Sequence, residues 1–274
     1  MNIESIRRYP VKSMLGELLP EATVTPAGLA GDRRLALLDR ATGRVVSAKN
    51  PRRWRTMLAL RASGAAPGPV RITLPDGREL AGTDDVDEVL SEVLGAPVTL
   101  TATVPPGATL DRARPDEVLA AGITADVTVD RTPLGGGADP VSFVDFAPVH
   151  LLTTATLERI AAATPGRTVD AVRYRPNLVV RTGTDAGFVE NDWIGRDVRI
   201  GREVVLRVLV PTPRCAVPTL AHGSLPGDPG ALRVPARLNR QVPVPQLGPL
   251  PCVGVYAQVV RPGTVRVGDP VEVS

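Results

Sequence analysis

Proline and glycine recur along the whole chain, 28 and 26 times in 274 residues, and neither is gathered into one segment. This scatter favours many short strands joined by tight turns. Hydrophobic residues make up 43% of the sequence, enough for a packed core, but aromatic residues make up only 3%. The core must therefore be built from valine, leucine, isoleucine and alanine, in one large domain or two ordinary ones.

Alternating hydrophobic residues in the first hundred positions predict short strands and two hairpins. The first hairpin is predicted over residues 35–47, around a turn at 41–43. The second is predicted over residues 71–80, where Asp76 and Gly77 supply the geometry of a tight turn.

A helix is predicted directly after the second hairpin. Hydrophobic residues recur there at helical spacing on one face: Val86, Val89, Leu90, Val93 and Leu94. Thr83 or Asp84 can cap the first turn of this helix, and Gly95 can end it.

The second half of the chain predicts a further set of strands. Their patterns cover residues 141–152, 177–181, 204–210 and 252–260, and residues 265–273 are predicted to close the chain as a small hairpin. A helix is predicted over residues 155–163. Thr153 and Thr154 precede it, where they can either cap the helix or bind an anion.

Residues 101–140 differ from both halves, because their periodicity is weak and Pro- and Gly-rich stretches bracket them. We interpret them as a loop-rich connector between residues 1–100 and 141–274. The predicted fold is mainly β with a few helices, an α+β arrangement of two packed, barrel-like β domains.

The two cysteines, Cys215 and Cys252, differ in their surroundings. Cys215 follows a predicted strand among prolines, and its neighbour Arg214 favours the thiolate, the form that attacks substrates or binds metal. Cys252 lies in an apolar strand pattern typical of a buried residue. Neither histidine lies at a zinc-ligand spacing. A structural Cys215, or a Cys–His protease arrangement with His150 or His222, remains open at this stage.

Lysine is rare, and only Lys12 and Lys49 occur. Lys12 and Ser13 follow a short predicted strand, where an ammonium group, a hydroxyl and backbone amides suit a phosphate. Arg33 lies at the start of the next predicted strand and can add a guanidinium group to this phosphate site. Taken singly, these residues are equally compatible with ordinary solvated charge.

The charge pattern and the hydropathy exclude two classes of partner. The net charge is +3 and the pI about 9.2, without a run of basic residues interleaved with aromatic ones. Nucleic acid is therefore not predicted as a partner. No apolar run approaches the roughly 20 residues needed to span a bilayer. We predict a soluble, cytoplasmic protein that does not bind membranes.

Five motifs occur together in this chain: Tyr9-Pro10-Val11-Lys12-Ser13, Gly31-Asp32-Arg33, Arg175-Pro176-Asn177, Arg214-Cys215, and the segment from Pro262 to Val271. In this order they resemble MOSC-domain proteins that carry an N-terminal MOSC β-barrel domain, of the mitochondrial amidoxime-reducing component type. The resemblance covers nearly the whole chain, except the connector. It implies that residues 1–100 form the N-terminal β-barrel domain and residues 141–274 the MOSC domain.

The resemblance also implies a cofactor and the residues that hold it. The family binds a molybdenum cofactor, Mo-molybdopterin, at the junction of the two domains. By resemblance, Cys215 is the metal ligand and the catalytic residue. The implied cofactor-binding residues are Lys12, Ser13, Arg33, Thr153, Thr154, Arg175, Asn177 and Arg214. A soft metal with a dithiolene cofactor is consistent with one thiolate from the protein.

The implied activity is that of a molybdenum-dependent oxidoreductase, independent of pyridoxal phosphate, that reduces N-oxygenated small molecules such as N-hydroxylated bases, amidoximes and hydroxylamines. Its electrons would come from a separate electron-transfer protein, because the sequence lacks the four further cysteines of an iron–sulfur domain. The alternative is a non-enzymatic carrier of the cofactor or of sulfur. A third interpretation is a β-barrel interaction module with a structural Cys215. No particular oligomeric state is predicted.

Overall fold

The structure is a computed structural model that describes residues 1–65, 68–81, 85–137, 142–164, 169–183 and 187–274. Strands predominate, and the predicted class, mainly β with a few helices, is confirmed. The strands are β1 (Asn2–Arg8), β2 (Glu17–Leu19), β3 (Glu21–Thr25), β4 (Gly28–Leu29), β5 (Ala36–Asp39), β6 (Arg61–Ser63), β7 (Arg71–Thr73), β8 (Glu79–Ala81), β9 (Val98–Thr101), β10 (Thr109–Ala113), β11 (Val129–Pro133), β12 (Val149–Thr153), β13 (Leu178–Arg181), β14 (Asp197–Ile200), β15 (Val204–Pro213), β16 (Arg240–Gln241), β17 (Leu250–Arg261), β18 (Gly263–Arg266) and β19 (Val271–Val273).

The helices are short and lie between the strands. They are α1 (Pro51–Trp54), α2 (Val86–Leu94), α3 (Pro115–Ala121), α4 (Thr154–Ala162) and α5 (Gly230–Leu238). Within the described ranges, none is long and apolar enough to cross a membrane.

The largest sheet joins the N-terminal strand to the second half of the chain. Its nine strands follow the order β19-β14-β15-β17-β12-β13-β1-β2, with β16 paired to β17. The β12–β13 pair is parallel, and β1 pairs with β13 in antiparallel orientation. Branched aliphatic side chains from these strands fill one core, among them Ile3, Ile6, Leu151, Val180, Leu206 and Val255. Because β1 belongs to this sheet, the residues after it lie beside the second half of the chain.

A second core lies under the first hundred residues, where α2 packs on β9 and buries Val86 and Leu90. Residues 11–15 connect to this core through the backbone. The Lys12 amide donates to the Leu35 carbonyl at 2.8 Å, and the Leu15 amide donates to the Leu60 carbonyl at 2.8 Å. The segment that carries Lys12 and Ser13 is thus held between the two cores.

Several local predictions are confirmed. The hairpin over residues 71–80 forms as the β7–β8 pair. The predicted helix after it is α2, and it ends at Gly95 in the left-handed conformation with φ of 67°. Thr83 and Asp84, the predicted caps, lie outside the described residues.

The first predicted hairpin, over residues 35–47, forms with a short ladder. Leu38 and Val45 form an antiparallel bridge, and the Val46 amide donates to the Leu37 carbonyl at 2.8 Å. β5 also pairs with β9 over four residues, a partner about sixty residues away that the local pattern did not predict. β9 supplies Val98, which is buried in the second core, together with the partly buried Leu100.

The predicted C-terminal hairpin is wrong. β18 pairs with β3, whereas β19 pairs with β14, so the two segments join different sheets. Val265 and Val271 are both buried in the large core. Burying both side chains outweighs the local turn at Gly268.

The segments around the junction contain different structure from that predicted. β10 and β11 form a hairpin that encloses α3, so residues 109–133 are more regular than a loop-rich connector. The strand predicted over 141–152 begins only at Val149, and Val141 lies outside the described residues. Residues 142–148 are irregular and carry Asp145 to the cleft described below.

Candidate functional site

A cleft lies between the Lys12–Ser13 segment and the large sheet. Its walls come from both halves of the chain. Six of the nine predicted site residues line it: Lys12, Ser13, Arg33, Arg175, Arg214 and Cys215. The geometry agrees with the expectation that Lys12 and Cys215 face one cleft, although they are far apart in sequence.

Backbone conformation marks this cleft as unusual. Among the described residues, four non-glycine residues have positive φ, and three of them line the cleft: Ser13 at 66°, Arg33 at 47° and Arg175 at 56°. Side chains other than glycine rarely adopt the left-handed region, and such strain concentrates at functional sites. The surrounding contacts must therefore hold these three residues in place.

Tyr9 provides the support for two of these residues. Its ring centroid lies 4.7 Å from the Arg33 guanidinium carbon and 4.3 Å from that of Arg175. Arg175 Nη1 donates to the Met14 carbonyl at 2.7 Å, and Arg33 forms an ion pair with Asp32. Burial raises the pKa of Tyr9 despite the nearby arginines, so the phenol remains neutral and the two cations stack on it.

Lys12 is buried and forms an ion pair inside the cleft. Its Nζ donates to the Phe143 carbonyl at 2.8 Å and to Asp145 Oδ1 at 2.7 Å, and Lys49 Nζ lies 2.9 Å from the same oxygen. Burial, with Lys49 and Arg33 nearby, lowers the pKa of Lys12 to about 8 although Asp145 opposes this. Burial alone would raise the pKa of Asp145, but Lys12 and Lys49 hold it well below its usual range.

Arg214 and Cys215 follow the end of β15. Arg214 Nη2 donates to the Tyr174 carbonyl at 2.8 Å. Arg214 Nε is buried and has no partner among the described residues. Cys215 is 8% exposed and packs against Ala48 and Leu58. Cys215 directly follows Arg214, whose side chain is fixed by its hydrogen bond to Tyr174, and this position keeps the thiol at the cleft wall.

Residues 138–272 match the MOSC domain, and residues 1–97 match the MOSC N-terminal beta barrel domain. The chain belongs to the MOSC-domain family. MOSC domains are associated with binding of the molybdenum cofactor.

One curated relative of this MOSC protein is mitochondrial amidoxime-reducing component 1 of Mus musculus. It is 33% identical over 136 residues, which cover 48% of the present chain and 38% of the relative. Among solved structures, the YUAD protein of Bacillus subtilis has a TM-score of 0.45 at 11% identity, over 99% of this chain and 94% of that one. YiiM of Geobacillus stearothermophilus has a TM-score of 0.34 at 15% identity, over 61% and 72%. These structural likenesses are too weak to add to the argument.

Three predicted site residues of this MOSC protein do not line the cleft. Thr153 Oγ1 accepts from the Thr156 amide at 3.2 Å and donates to Glu190 at 2.6 Å, so it caps α4. The Thr154 hydroxyl lies 3.4 Å from that of Thr182. The amide oxygen of Asn177 accepts from the His150 amide at 3.1 Å and from Arg33 Nη1 at 3.2 Å. Asn177 therefore positions Arg33 from outside the cleft. Thr153 caps α4, and Thr154 connects the start of α4 to Thr182.

Six polar or aromatic residues of the cleft were not predicted as site residues: Ser47, Lys49, Asp145, His150, Tyr174 and Tyr256. The ring nitrogens of His150 face the carbonyl oxygens of Val253 at 3.2 Å and of Arg175 at 3.4 Å. Burial, with Arg214 nearby, lowers the pKa of His150 to about 3, so the ring is neutral. Because both nitrogens face carbonyls, His150 is not placed as a base for Cys215. His222 is not part of the cleft wall.

The charges of the cleft suit an anionic group. Five cations line the cleft: Lys12, Arg33, Lys49, Arg175 and Arg214. Its wall contains a single carboxylate. The unpartnered Arg214 Nε is a donor that only an incoming acceptor would satisfy. Within the described ranges, no group of three His, Cys, Asp or Glu side chains could hold a metal ion. A metal bound at Cys215 would therefore need most of its ligands from its own cofactor, as a dithiolene cofactor provides.

Lys12 makes anion binding at this cleft dependent on pH. With a pKa of about 8, Lys12 is mostly charged at pH 7 and mostly neutral at pH 9, whereas the arginines remain charged at both. We expect the affinity for sulfate, whose charge is constant over this range, to fall by roughly tenfold from pH 7 to pH 9. Isothermal calorimetry measures this. Lys12→Gln protein should bind sulfate weakly at pH 7 and show no further decrease; an undiminished pH step in that variant would contradict the assignment.

Proposed function

We propose that this protein is a molybdenum-cofactor-dependent reductase of N-oxygenated compounds, such as N-hydroxylated bases, amidoximes and hydroxylamines, and that a separate electron-transfer protein supplies its electrons. The observation that carries the proposal is the shared cleft, whose wall holds one cysteine, Cys215, together with five cations. The mouse relative is an amidoxime-reducing component, which supports the same reaction class. A cytoplasmic location is part of the proposal.

In this proposal, different residues of the cleft bind different parts of the cofactor. Cys215 is the protein's metal ligand, and Lys12, Ser13 and Arg33 hold the anionic phosphate end and the pterin. Arg214, with its unpartnered Nε, donates to an acceptor of the cofactor near the metal. A charge-assisted hydrogen bond of this kind is shorter and stronger than a neutral one.

Supporting residues keep these groups in position. Tyr9 and Asn177 hold Arg33, and Tyr9 also holds Arg175, so that the guanidiniums are oriented before the cofactor arrives. Thr153 and Thr154 are not assigned to the cofactor, because the Thr153 hydroxyl bonds Thr156 and Glu190 and the Thr154 hydroxyl pairs with Thr182. Pre-positioned charges reduce the loss of side-chain freedom on binding.

The proposed reaction consumes two electrons and two protons for each substrate. In an amidoxime the N–O bond breaks, the oxygen leaves as water, and an amidine remains. When bound, the cofactor would supply the two-electron redox chemistry that this reduction needs. The chain's own part is to exclude water from the cofactor's anionic end and to present Asp145 at the cleft mouth, where a third of its side chain is exposed.

The test is turnover of benzamidoxime with an artificial electron donor, using protein loaded with molybdenum cofactor. We expect benzamidine to form in proportion to molybdenum content, which elemental analysis gives independently. Protein that retains molybdenum but forms no benzamidine would indicate the carrier function instead. Protein that retains no molybdenum would contradict both.

A further inference from the structure

A second cleft adjoins the first at Cys215 and has a different chemistry. Its cavity volume is about 390 Å³, within the range of pockets that bind small molecules. Five residues line both clefts: Lys49, Asp145, Arg214, Cys215 and Tyr256. The cofactor cleft and this second cleft therefore meet at the residue proposed to bind the metal.

Most of the remaining wall of this second cleft is apolar. The apolar residues are Pro133, Phe146, Val210, Pro213, Pro243, Val244 and Leu247, and the polar ones are Arg112, Thr132 and Gln246. We call the seven apolar residues, with Tyr256, the apolar cleft. They come from several separate parts of the chain, so the surface is assembled by the fold and not by one hydrophobic segment.

Phe146 stands out among the aromatic residues of the chain. The sequence has only eight Phe, Tyr and Trp residues, and Phe146, at 39%, is the most exposed of them. Its ring centroid lies 5.6 Å from that of Tyr256, which is half-buried, and the ring planes are tilted by 32°. An exposed aromatic ring beside a reactive site offers a face on which a flat ring can stack.

Leu247 provides an exposed apolar surface on the same cleft. It is 54% exposed at the end of a short 3-10 turn, Pro245–Leu247. Apolar side chains left exposed together around a cavity mark ligand sites more often than scattered ones do. A ligand body lying between Phe146 and Leu247 would remove both from water.

We propose that the apolar cleft binds the flat aromatic body of the substrate and directs its N-oxygenated end to Cys215. The inference rests on the proposed function and narrows the substrate class to aryl amidoximes, which are N-hydroxylated aryl amidines. Asp145, which lies at the border between the two clefts, accepts a hydrogen bond from the substrate's amino group. The arrangement favours a substrate that is polar at one end and aromatic at the other.

Binding without turnover tests this directly. We would measure the affinities of 2-naphthamidine and acetamidine, which share the amidine group, by calorimetry on the full chain. Wild-type protein should bind 2-naphthamidine at least about tenfold more tightly, because apolar contact in a pocket gives discrimination of this order. Phe146→Ala and Leu247→Ser should each remove most of that difference.

Matched variants control for surface hydrophobicity in general. Ile194, 39% exposed, matches Phe146, and Leu18, 59% exposed, matches Leu247; neither lines the two clefts. Ile194→Ser and Leu18→Ser should keep the wild-type preference. Equal affinity of wild-type protein for the two amidines, or an equal loss in the control variants, would overturn the inference.

Turnover separates this inference from the proposed function. With loaded protein, the ratio of kcat/KM for 2-naphthamidoxime to that for acetamidoxime should fall about tenfold in Phe146→Ala. An unchanged ratio overturns the role of the apolar cleft but leaves the reductase in place. A preserved preference for 2-naphthamidine in protein that reduces neither amidoxime supports the cleft and contradicts the reductase.

Discussion

Replacing Cys215 with alanine should reduce amidoxime turnover by more than about 100-fold, because even residues that only support metal ligands affect activity or metal affinity by 10–100-fold. Cys215 is the one cysteine on the wall of the cofactor cleft. Molybdenum content after gel filtration should fall as well. Circular dichroism and thermal unfolding should be close to wild type, since the side chain is small and lies at the cleft wall.

Cys252 is the matched control for this experiment. It is fully buried in β17, its Sγ donates to the Leu250 carbonyl at 3.3 Å, and burial raises its pKa to about 11. Cys252→Ala should lower the free energy of unfolding by about 1–3 kcal/mol and leave turnover per molybdenum unchanged. Full activity in Cys215→Ala, or equal loss in both variants, would refute Cys215 as the ligand.

Local sequence patterns predict the elements of this fold well. The alternation from Val204 onwards is β15, and the hydrophobic stripe with Gly95 after it is α2. In each case the signal and the structure it determines lie within about ten residues. Thr153 shows the same locality, because its hydroxyl caps the helix that directly follows it.

Strand pairing between distant segments is not local, and there the sequence predictions fail. The turn at Gly268 does not make a hairpin, because Val265 and Val271 gain more by entering the large core beside β3 and β14. Likewise, the local pattern does not predict that β5 pairs with β9 in addition to the nearby Val45. Choosing among partners requires the whole set of buried surfaces, which a pattern within one segment does not contain.

The candidate site divides in the same way. The motifs of the resemblance include Lys12, Arg33 and Cys215, which line the cleft. The rarity of lysine could have indicated Lys49, since it is the other lysine of the chain beside Lys12. Asp145 had none, because it lies in an irregular segment whose position depends on the packing around it. Contacts such as Lys12 with Asp145 are visible only once the fold brings them together.

Gly254→Ala should lower the free energy of unfolding by about 2–5 kcal/mol, combining overpacking with backbone strain. Gly254 lies in β17 with φ of 76°. A Cβ atom there would lie 2.3 Å from His150 Nε2 and 2.4 Å from the Leu151 carbonyl oxygen. The crowded atoms belong to β12 and to a buried ring, so neither can move away without disturbing the sheet. Urea unfolding measures the change.

Gly77→Ala separates the two causes, because Gly77 has a similar φ of 88° but no atom within 4 Å of the added methyl group. That variant should lose only about 1–2 kcal/mol, the cost of the left-handed conformation itself. Gly254→Ala should also displace His150, whose ring bonds Val253 and Arg175, and so weaken sulfate binding at the cofactor cleft. If the two variants lose equal stability, the close approach of β17 to His150 is not what requires glycine. If Gly254→Ala is destabilised but binds sulfate normally, His150 supports the sheet without positioning Arg175.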